Sequence, residues 1–219
     1  MRPELKDLLL AEAEKFSARL SENQLKMFED YLLLIQKYNT RLNLTAIEDE
    51  QGIVVKHFID SLAGCGFLEH NRLVLDIGSG MGCPGIALKI AVPELKMFLL
   101  ESNRKKAAFI NQVIRSLNLQ NARAVARRAE DKDFQAGLAG QVDAVLSRAV
   151  GRLDWLAELA APYLKKGGRL LAYKGREAEK ELAESAPTLM QRGLKHEASS
   201  SYELPSKGGS RVLLVLRKN

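Results

Sequence analysis

From residue 71 onward, short apolar segments alternate with amphipathic ones, and this alternation constrains the fold more than any other feature. Strands are predicted at residues 73–77, 95–100, 122–126, 142–146 and 169–173, with helices that include residues 84–91, 153–164 and 177–192. Such alternation is typical of a doubly wound parallel sheet. Two further strands, near residues 195–202 and 211–216, have no helix between them and must pair antiparallel. We therefore predict an α/β fold with a seven-stranded sheet whose last strand is antiparallel, unlike a plain dinucleotide-binding domain.

The first seventy residues differ in character and are predicted to be helical. Ser21-Glu-Asn-Gln24 matches a capping box, and apolar residues follow it at helical spacing from Leu25 to Ile35. We expect residues 1–70 to form a small N-terminal helical extension and residues 71–219 to form the main domain.

The basic residues are concentrated in the expected main domain. Residues 1–70 hold 8 Lys and Arg against 12 Asp and Glu, whereas residues 71–219 hold 25 against 15. A basic domain suits a polyanion such as nucleic acid, and an ordinary basic surface is the alternative. The longest run without a charge, residues 77–88, is too short to cross a membrane, and two cysteines make no disulfide framework. These features predict a reduced, cytoplasmic protein with no membrane contact and no evident obligate protein partner.

A glycine-rich segment follows the first predicted strand: Asp76-Ile-Gly78-Ser-Gly80-Met-Gly82-Cys-Pro-Gly85. Ligands of such sheets bind at the carboxyl ends of the central strands, and glycines let the backbone turn and approach a ligand closely. Glu101 ends the second strand, where an acidic side chain can accept both ribose hydroxyls of a nucleoside. The segment therefore predicts a site for a cofactor that contains adenosine.

Two features favour S-adenosylmethionine over a dinucleotide in this site. Asp76 lies two residues before the first glycine, where a carboxylate would repel a pyrophosphate but would suit the ammonium of a methionine moiety. The closing strand pair is the second feature. We predict a Rossmann-like, class I S-adenosylmethionine-dependent methyltransferase fold in which Asp76, Gly78, Gly80 and Gly82 bind the cofactor. The alternatives are that Asp76 caps the turn and that the glycines serve packing only.

The ends of the third and fourth strands supply further candidates. Glu130, or a backbone N–H beside it, is placed to bind the adenine edge; a solvated loop acid is the alternative. Arg148 suits a phosphate, a carboxylate or a guanine edge, and a structural ion pair with Asp76 or Glu130 is the alternative. The Asn/Asp-Pro-Pro-aromatic motif of exocyclic-amine methyltransferases does not occur there, nor does a nucleophilic cysteine, and Cys83 is expected to pack. No residues have the spacing of metal ligands.

Five segments together resemble one known family. They are Asn43-Leu-Thr45, His57-Phe-Ile-Asp60-Ser61, residues 75–86, Ser147-Arg148-Ala149 and Tyr173-Lys174-Gly175. They look like the bacterial ribosomal RNA small-subunit methyltransferase G family, also known as glucose-inhibited division protein B. The resemblance covers nearly the whole chain, and the two upstream motifs and the Pro-Gly after the glycines are specific to this family.

The resemblance implies transfer of a methyl group from S-adenosylmethionine to N7 of one guanine in 16S ribosomal RNA. The family's cofactor contacts carry over to Gly78, Cys83, Ala129, Glu130 and Arg148. Guanine N7 carries no proton, so no catalytic base is required, and the candidates for orienting the base are Asn43, Arg148 and Lys174. The alternatives are methylation of a small molecule or a protein, a non-catalytic cofactor-binding protein and, as the weakest, an NAD-dependent oxidoreductase.

The implied partner is small-subunit ribosomal RNA or a 30S-type particle. We expect phosphate contacts from the basic main domain and mostly not from residues 1–70. The candidate cations are residues 104–106, 127–128 and 165–166, together with Lys174 and Arg176. The last two are favoured because they follow a strand whose carboxyl end opens on the expected site.

Overall fold

One seven-stranded sheet organises the molecule in a computed structural model that describes residues 1–69 and 72–219. The strands are β1 (Leu73–Ile77), β2 (Lys96–Leu100), β3 (Ala122–Val125), β4 (Val142–Arg148), β5 (Leu164–Lys174), β6 (Leu194–Leu204) and β7 (Gly209–Lys218). Their order across the sheet is β3-β2-β1-β4-β5-β7-β6. Strands β1 to β5 are parallel, and β7 is antiparallel to both β5 and β6. The predicted sheet with an antiparallel last strand is confirmed.

The N-terminal residues are helical, and the helices are α1 (Pro3–Lys15), α2 (Glu22–Leu42), α3 (Glu50–Ile53) and α4 (Asp60–Leu62), with a π-helical turn at Val54–Ile59 between the last two. The capping box is present: the Ser21 hydroxyl accepts from the Gln24 backbone, and the Gln24 side chain accepts from the Ser21 backbone. The expected boundary between residues 70 and 71 lies outside the described residues.

Five more helices cover the sheet: α5 (Gly85–Ala91), α6 (Arg104–Ser116), α7 (Lys132–Leu138), α8 (Leu153–Ala160) and α9 (Ala178–Gln191). Phe28 of α2 belongs to the same hydrophobic cluster as Ile86 of α5 and Phe109 of α6. A second cluster contains Leu156 of α8 and Leu189 of α9. The N-terminal helices therefore share one core with one face of the sheet. Among the described residues, no helix is both long and apolar enough to cross a membrane.

The prediction of a helix over residues 153–164 was wrong at its end. Helix α8 stops at Ala160, and strand β5 already begins at Leu164. Pro162 has no backbone N–H and its ring clashes with the preceding helical turn, so the helix ends just before it. Strand β5 then continues through Gly168, where a Cβ would lie 3.0 Å from the Val142 carbonyl oxygen. The glycine pair is therefore part of a strand that pairs closely with β4, rather than a loop.

Candidate functional site

The glycine segment forms a tight loop between β1 and α5 at the carboxyl edge of the sheet. The backbone N–H groups of Gly78 and Ser79 both donate to the Leu100 carbonyl oxygen, at 2.9 Å. Gly78 has a φ of +72°, and a Cβ there would lie 2.3 Å from Val150 Cγ2. A side chain at residue 78 would therefore collide with the segment that follows β4. The loop packs in this way only because residue 78 is glycine.

Asp76 lies beneath this loop and is fully buried. Its Oδ2 accepts a hydrogen bond from the Gly85 backbone N–H, at 3.0 Å, so the carboxylate secures the start of α5. Burial raises the pKa of the Asp76 carboxyl to about 7. Among the described residues, Asp76 Oδ1 is the one buried carboxylate oxygen without a hydrogen-bond partner. The turn-capping alternative is therefore observed, and one acceptor atom remains for a donor such as an ammonium group.

Glu101 directly follows β2, and one of its carboxylate oxygens contacts the glycine loop. Its Oε2 accepts from the Gly80 backbone N–H at 2.9 Å, and its Oε1 accepts from the Asn103 N–H at 2.8 Å. A carboxylate has about four acceptor positions, so two remain for the hydroxyls of a ribose. The two backbone contacts fix the side chain in place before any ligand arrives.

A cavity of about 360 Å³ opens between the ends of β1, β2, β3 and β4. Four residues predicted to bind the cofactor line it together: Gly78, Glu101, Ala129 and Glu130. Its wall also includes Trp155, half of whose surface is exposed, which the sequence reasoning missed. The only sequence signal for it was its rarity, since it is the single tryptophan of the chain. The other predicted cofactor residues, Asp76, Gly80, Gly82, Cys83 and Arg148, do not line this cavity.

Cys83 is buried against helix α2 rather than exposed to the cavity. Its Sγ lies 3.5 Å from the hydroxyl oxygen of Tyr31, which donates to the Met81 carbonyl oxygen at 2.8 Å. Burial raises the pKa of the Cys83 thiol. The expectation that Cys83 packs therefore agrees with its surroundings, and its contact with the cofactor stays a prediction. Tyr31 also ties the N-terminal helices directly to the glycine loop.

Arg148, at the end of β4, is hydrogen-bonded to the N-terminal segment, which is residues 1–69. Its guanidinium donates to Asp60 Oδ2, to the Lys56 carbonyl oxygen and to His57 Nδ1, each at 3.0 Å. The alternative of an ion pair with Asp76 or Glu130 was wrong in its partner, because Asp60 occupies that role. Asp60 is far away in sequence, so only the folded chain brings the pair together. The second oxygen of Asp60 accepts from the Tyr202 hydroxyl at 2.8 Å.

His57 is the central residue of this polar network, and the sequence alone did not assign it a role. Arginine can only donate, so His57 Nδ1 must be the acceptor and its Nε2 must carry the hydrogen. That hydrogen is donated to Thr45 Oγ1, at 2.9 Å. Burial lowers the pKa of His57 to about 3, with further lowering from the charges of Arg148 and Lys56. His57 is therefore a neutral imidazole with both nitrogens engaged.

The other two candidates for orienting the guanine have structural contacts or lie apart. Lys174 Nζ pairs with Glu181 Oε1 at 2.8 Å and donates to the Gly151 carbonyl oxygen at 3.0 Å. Asn43 is exposed and ends helix α2 in the left-handed conformation, with a φ of +47°. Lys174 therefore fixes the segment after β4. Asn43 lines neither the cavity described above nor a second cavity that adjoins it.

A second cavity, of about 480 Å³, adjoins the first. Ala149 lines both cavities, so they meet just after β4. The second cavity is surrounded by charged side chains, which include Lys56, Asp60, Arg148, Lys174, Glu181 and Arg211. Two adjacent cavities at one sheet edge can hold a cofactor and a second reactant side by side. Within the described residues, no group of three or more His, Cys, Asp or Glu side chains could hold a metal ion.

The sheet, with its order β3-β2-β1-β4-β5-β7-β6 and antiparallel β7, has the fold of class I methyltransferases. Solved structures with this fold include TYW2 of M. jannaschii in complex with AdoMet, at a TM-score of 0.61 and 16% identity over 80% of this chain and 79% of that chain. The fibrillarin of Aeropyrum pernix with natively bound S-adenosyl-L-methionine has a TM-score of 0.54 and 16% identity, over 68% of this chain and 67% of that chain. Similarity at these identities establishes the fold alone.

The chain belongs to the ribosomal RNA small subunit methyltransferase G family. The family model described as rRNA small subunit methyltransferase G matches residues 24–207. The protein of that name from Acetivibrio thermocellus is 38% identical over 215 residues, which are 98% of this chain and 88% of the relative. The one from Deinococcus deserti is 39% identical over 220 residues, which are 100% of this chain and 90% of the relative. The family resemblance inferred from the sequence motifs is confirmed.

Proposed function

We propose that the protein transfers a methyl group from S-adenosylmethionine to N7 of a guanine in 16S ribosomal RNA of the small subunit. Membership of the family supports the substrate class, since the relatives carry the name ribosomal RNA small subunit methyltransferase G. Such a substrate places the protein in the cytoplasm, with ribosomal RNA or a 30S-type particle as its partner. The predicted N-terminal extension, residues 1–70, and the predicted main domain, residues 71–219, act together in this proposal.

The observation that carries the proposal is the junction of two cavities at Ala149. Glu101, Ala129 and Glu130 line the first cavity together, and we expect Glu101 to bind the ribose hydroxyls and Ala129 and Glu130 to contact the adenine edge. Of the predicted glycines, Gly78 lines this cavity, where it lets the backbone approach the ligand. Gly80, Gly82 and the buried Asp76 lie outside the lining, so the contact of Asp76 Oδ1 with the ammonium stays a prediction. Cys83 and Arg148 support the glycine loop and the end of β4 beside this site, and their direct contact with the cofactor stays a prediction.

The proposed methyl transfer depends more on the orientation of the two reactants than on proton transfer. When bound, S-adenosylmethionine supplies an electrophilic methyl group on a sulfonium, and guanine N7 offers an unprotonated lone pair. His57 and Asp60, which line the second cavity, match a reaction without a base, because both nitrogens of His57 and both oxygens of Asp60 are engaged. The work of this chain is therefore to hold N7 about 3 Å from the methyl carbon and in line with the sulfur.

The test compares small-subunit ribosomal RNA from cells with and without the gene. Nucleoside mass spectrometry should find N7-methylguanine lost in the deletion strain and restored by the wild-type gene, but not by a Glu101→Gln variant. Equal N7-methylguanine in both strains would contradict the proposal. Methyl transfer only to metabolites or proteins would support the small-molecule or protein alternative, and cofactor binding without transfer would support a non-catalytic protein.

A base-free reaction also predicts a flat pH profile. Single-turnover rates with the purified protein should show no rise attributable to a protein base between about pH 6 and pH 9. A steep increase that disappears in one single-residue variant would identify a base and overturn this mechanism.

A further inference from the structure

The second cavity is built from both ends of the chain. Its lining includes Lys56 and His57 of the π-helical turn, Ala149 and Gly151 after β4, and Arg211 of β7. The N-terminal segment therefore supplies part of the cavity that adjoins the cofactor site. Its own composition is acidic, so the sequence predicted that phosphate contacts would mostly not come from it.

The charges of this cavity do not balance. The ionisable side chains around it are four cations, Lys56, Arg148, Lys174 and Arg211, and two carboxylates, Asp60 and Glu181. Glu181 is engaged by Lys174, and Asp60 is engaged by Arg148 at 3.0 Å. His57 is neutral and adds no charge. Four cations against two carboxylates leave an excess of positive charge, because Lys56 has no ion pair with a described residue and Arg211 shares Asp60 with Arg148.

Neighbouring residues position the backbone of Lys56 and the guanidinium of Arg211. Lys56 is exposed and forms no ion pair with another described residue, but its carbonyl oxygen is fixed by Arg148 at 3.0 Å. Arg211 Nη1 donates to the Ser210 carbonyl oxygen at 3.0 Å, and its Nε lies 3.8 Å from Asp60 Oδ1. Positive groups that are positioned and still accessible suit the phosphates of a polynucleotide.

We propose that this cavity receives the target nucleotide and that Lys56 and Arg211 contact the phosphates on either side of it. A volume of about 480 Å³ lies within the range of small-molecule sites, and Ala149 connects the cavity to the cofactor site. This inference rests on the proposed function and adds to it, because the N-terminal segment becomes part of the RNA-binding surface.

The experiment measures binding of purified small-subunit ribosomal RNA by filter binding at several salt concentrations. The variants are Lys56→Gln, Arg211→Gln and the double variant. Lys56→Arg keeps the charge, and Lys96→Gln removes one exposed lysine at the opposite edge of the sheet as the matched control. Each lost phosphate contact should lower the salt slope by about one unit and weaken binding roughly fivefold at about 0.15 M salt. Cofactor affinity by calorimetry should stay at the wild-type value.

The Lys56→Gln variant decides the outcome, since Lys56 is exposed and its loss leaves no described ion pair broken. The inference is supported if Lys56→Gln lowers the slope while Lys56→Arg and Lys96→Gln do not. A wild-type slope in Lys56→Gln, or an equal loss in Lys96→Gln, overturns it. N7-methylguanine formation by the wild-type protein is measured in parallel, so that a failure of the proposed reaction is seen separately from a failure of this site.

Discussion

The ion pair between Asp60 and Arg148 joins the N-terminal segment to the end of β4, and Asp60→Asn tests its energetic value. The Asp60 side chain is 4% exposed and the Arg148 side chain 15% exposed, at an N–O distance of 3.0 Å. The substitution keeps the shape of the side chain but removes its charge. Arg148 would then remain as a largely buried cation without a counter-ion.

The expected decrease in the free energy of unfolding follows from the contacts that Arg148 keeps and loses in Asp60→Asn. Removal of one partner from a buried ion pair costs about 3–5 kcal/mol. Arg148 retains hydrogen bonds to two carbonyl oxygens and to His57 Nδ1, so we expect the lower end, about 3 kcal/mol. For a chain of this length, this corresponds to a decrease in Tm of about 6–12 °C.

Urea unfolding followed by circular dichroism measures the loss, and Glu184→Gln is the matched control. Glu184 pairs with Arg152 at 2.9 Å, but the two side chains are 43% and 60% exposed. The control should therefore cost less than about 1 kcal/mol. The double variant Asp60→Asn/Arg148→Met should recover part of the loss, because it removes the buried cation. If Asp60→Asn lowers the free energy of unfolding no more than Glu184→Gln does, burial does not determine how much this ion pair stabilises the fold. That result would refute the expectation.

Three further predictions concern the cofactor loop and His57. Glu101→Gln should weaken S-adenosylmethionine binding in calorimetry by tenfold or more, because charge-assisted hydrogen bonds worth about 1.5–3 kcal/mol are lost; unchanged affinity would exclude the ribose role. Gly80→Val has room for its Cβ, whose nearest neighbour is 4.0 Å away, but a φ of +59° strains an L-residue by at least about 1–2 kcal/mol. Its circular dichroism should stay near wild type while turnover falls, and full activity would show that the loop conformation is not required. The folded-state pKa of His57, about 3, lies below the ordinary 6.5, so its contribution to stability is complete above pH 6.5 and is lost as the pH falls toward 3. Urea titrations should therefore show a flatter acid dependence for His57→Gln than for wild type, and parallel curves would contradict the neutral state.

Features set by local sequence could be predicted well. The apolar run at residues 73–77 became β1 without adjustment, and the Ser21 capping box formed as expected. Both depend on side chains a few residues apart, whose propensities and hydrogen bonds act within one element. The gathering of Gly78, Glu101, Ala129 and Glu130 around one cavity followed from the rule that parallel strands share their carboxyl edge.

Features set by distant residues could not be predicted. Arg148 was a plausible partner for several acids, and nothing near it in the sequence indicated Asp60, 88 residues away. The π-helical turn that positions Lys56 and His57 has the same apolar spacing as an ordinary helix, so periodicity did not distinguish it. Lys174 looked free because its partner Glu181 belongs to a separate helix. For Arg148 and Lys174, the missing information is the contact between separate elements.

The place of β7 in the sheet has a consequence for the order in which the protein can fold. β7 follows the other six strands in the chain, yet it lies between β5 and β6 and joins β6 to the rest of the sheet. During synthesis, β5 therefore presents an unpaired edge, and β6 has no partner until residues 209–218 have left the ribosome. Leu213, Leu214, Val215 and Leu216 are all fully buried, so both hydrophobic clusters remain open until then. A ribosome stalled before this strand would hold a nascent chain with an exposed sheet edge, which is the state in which such chains pair with one another.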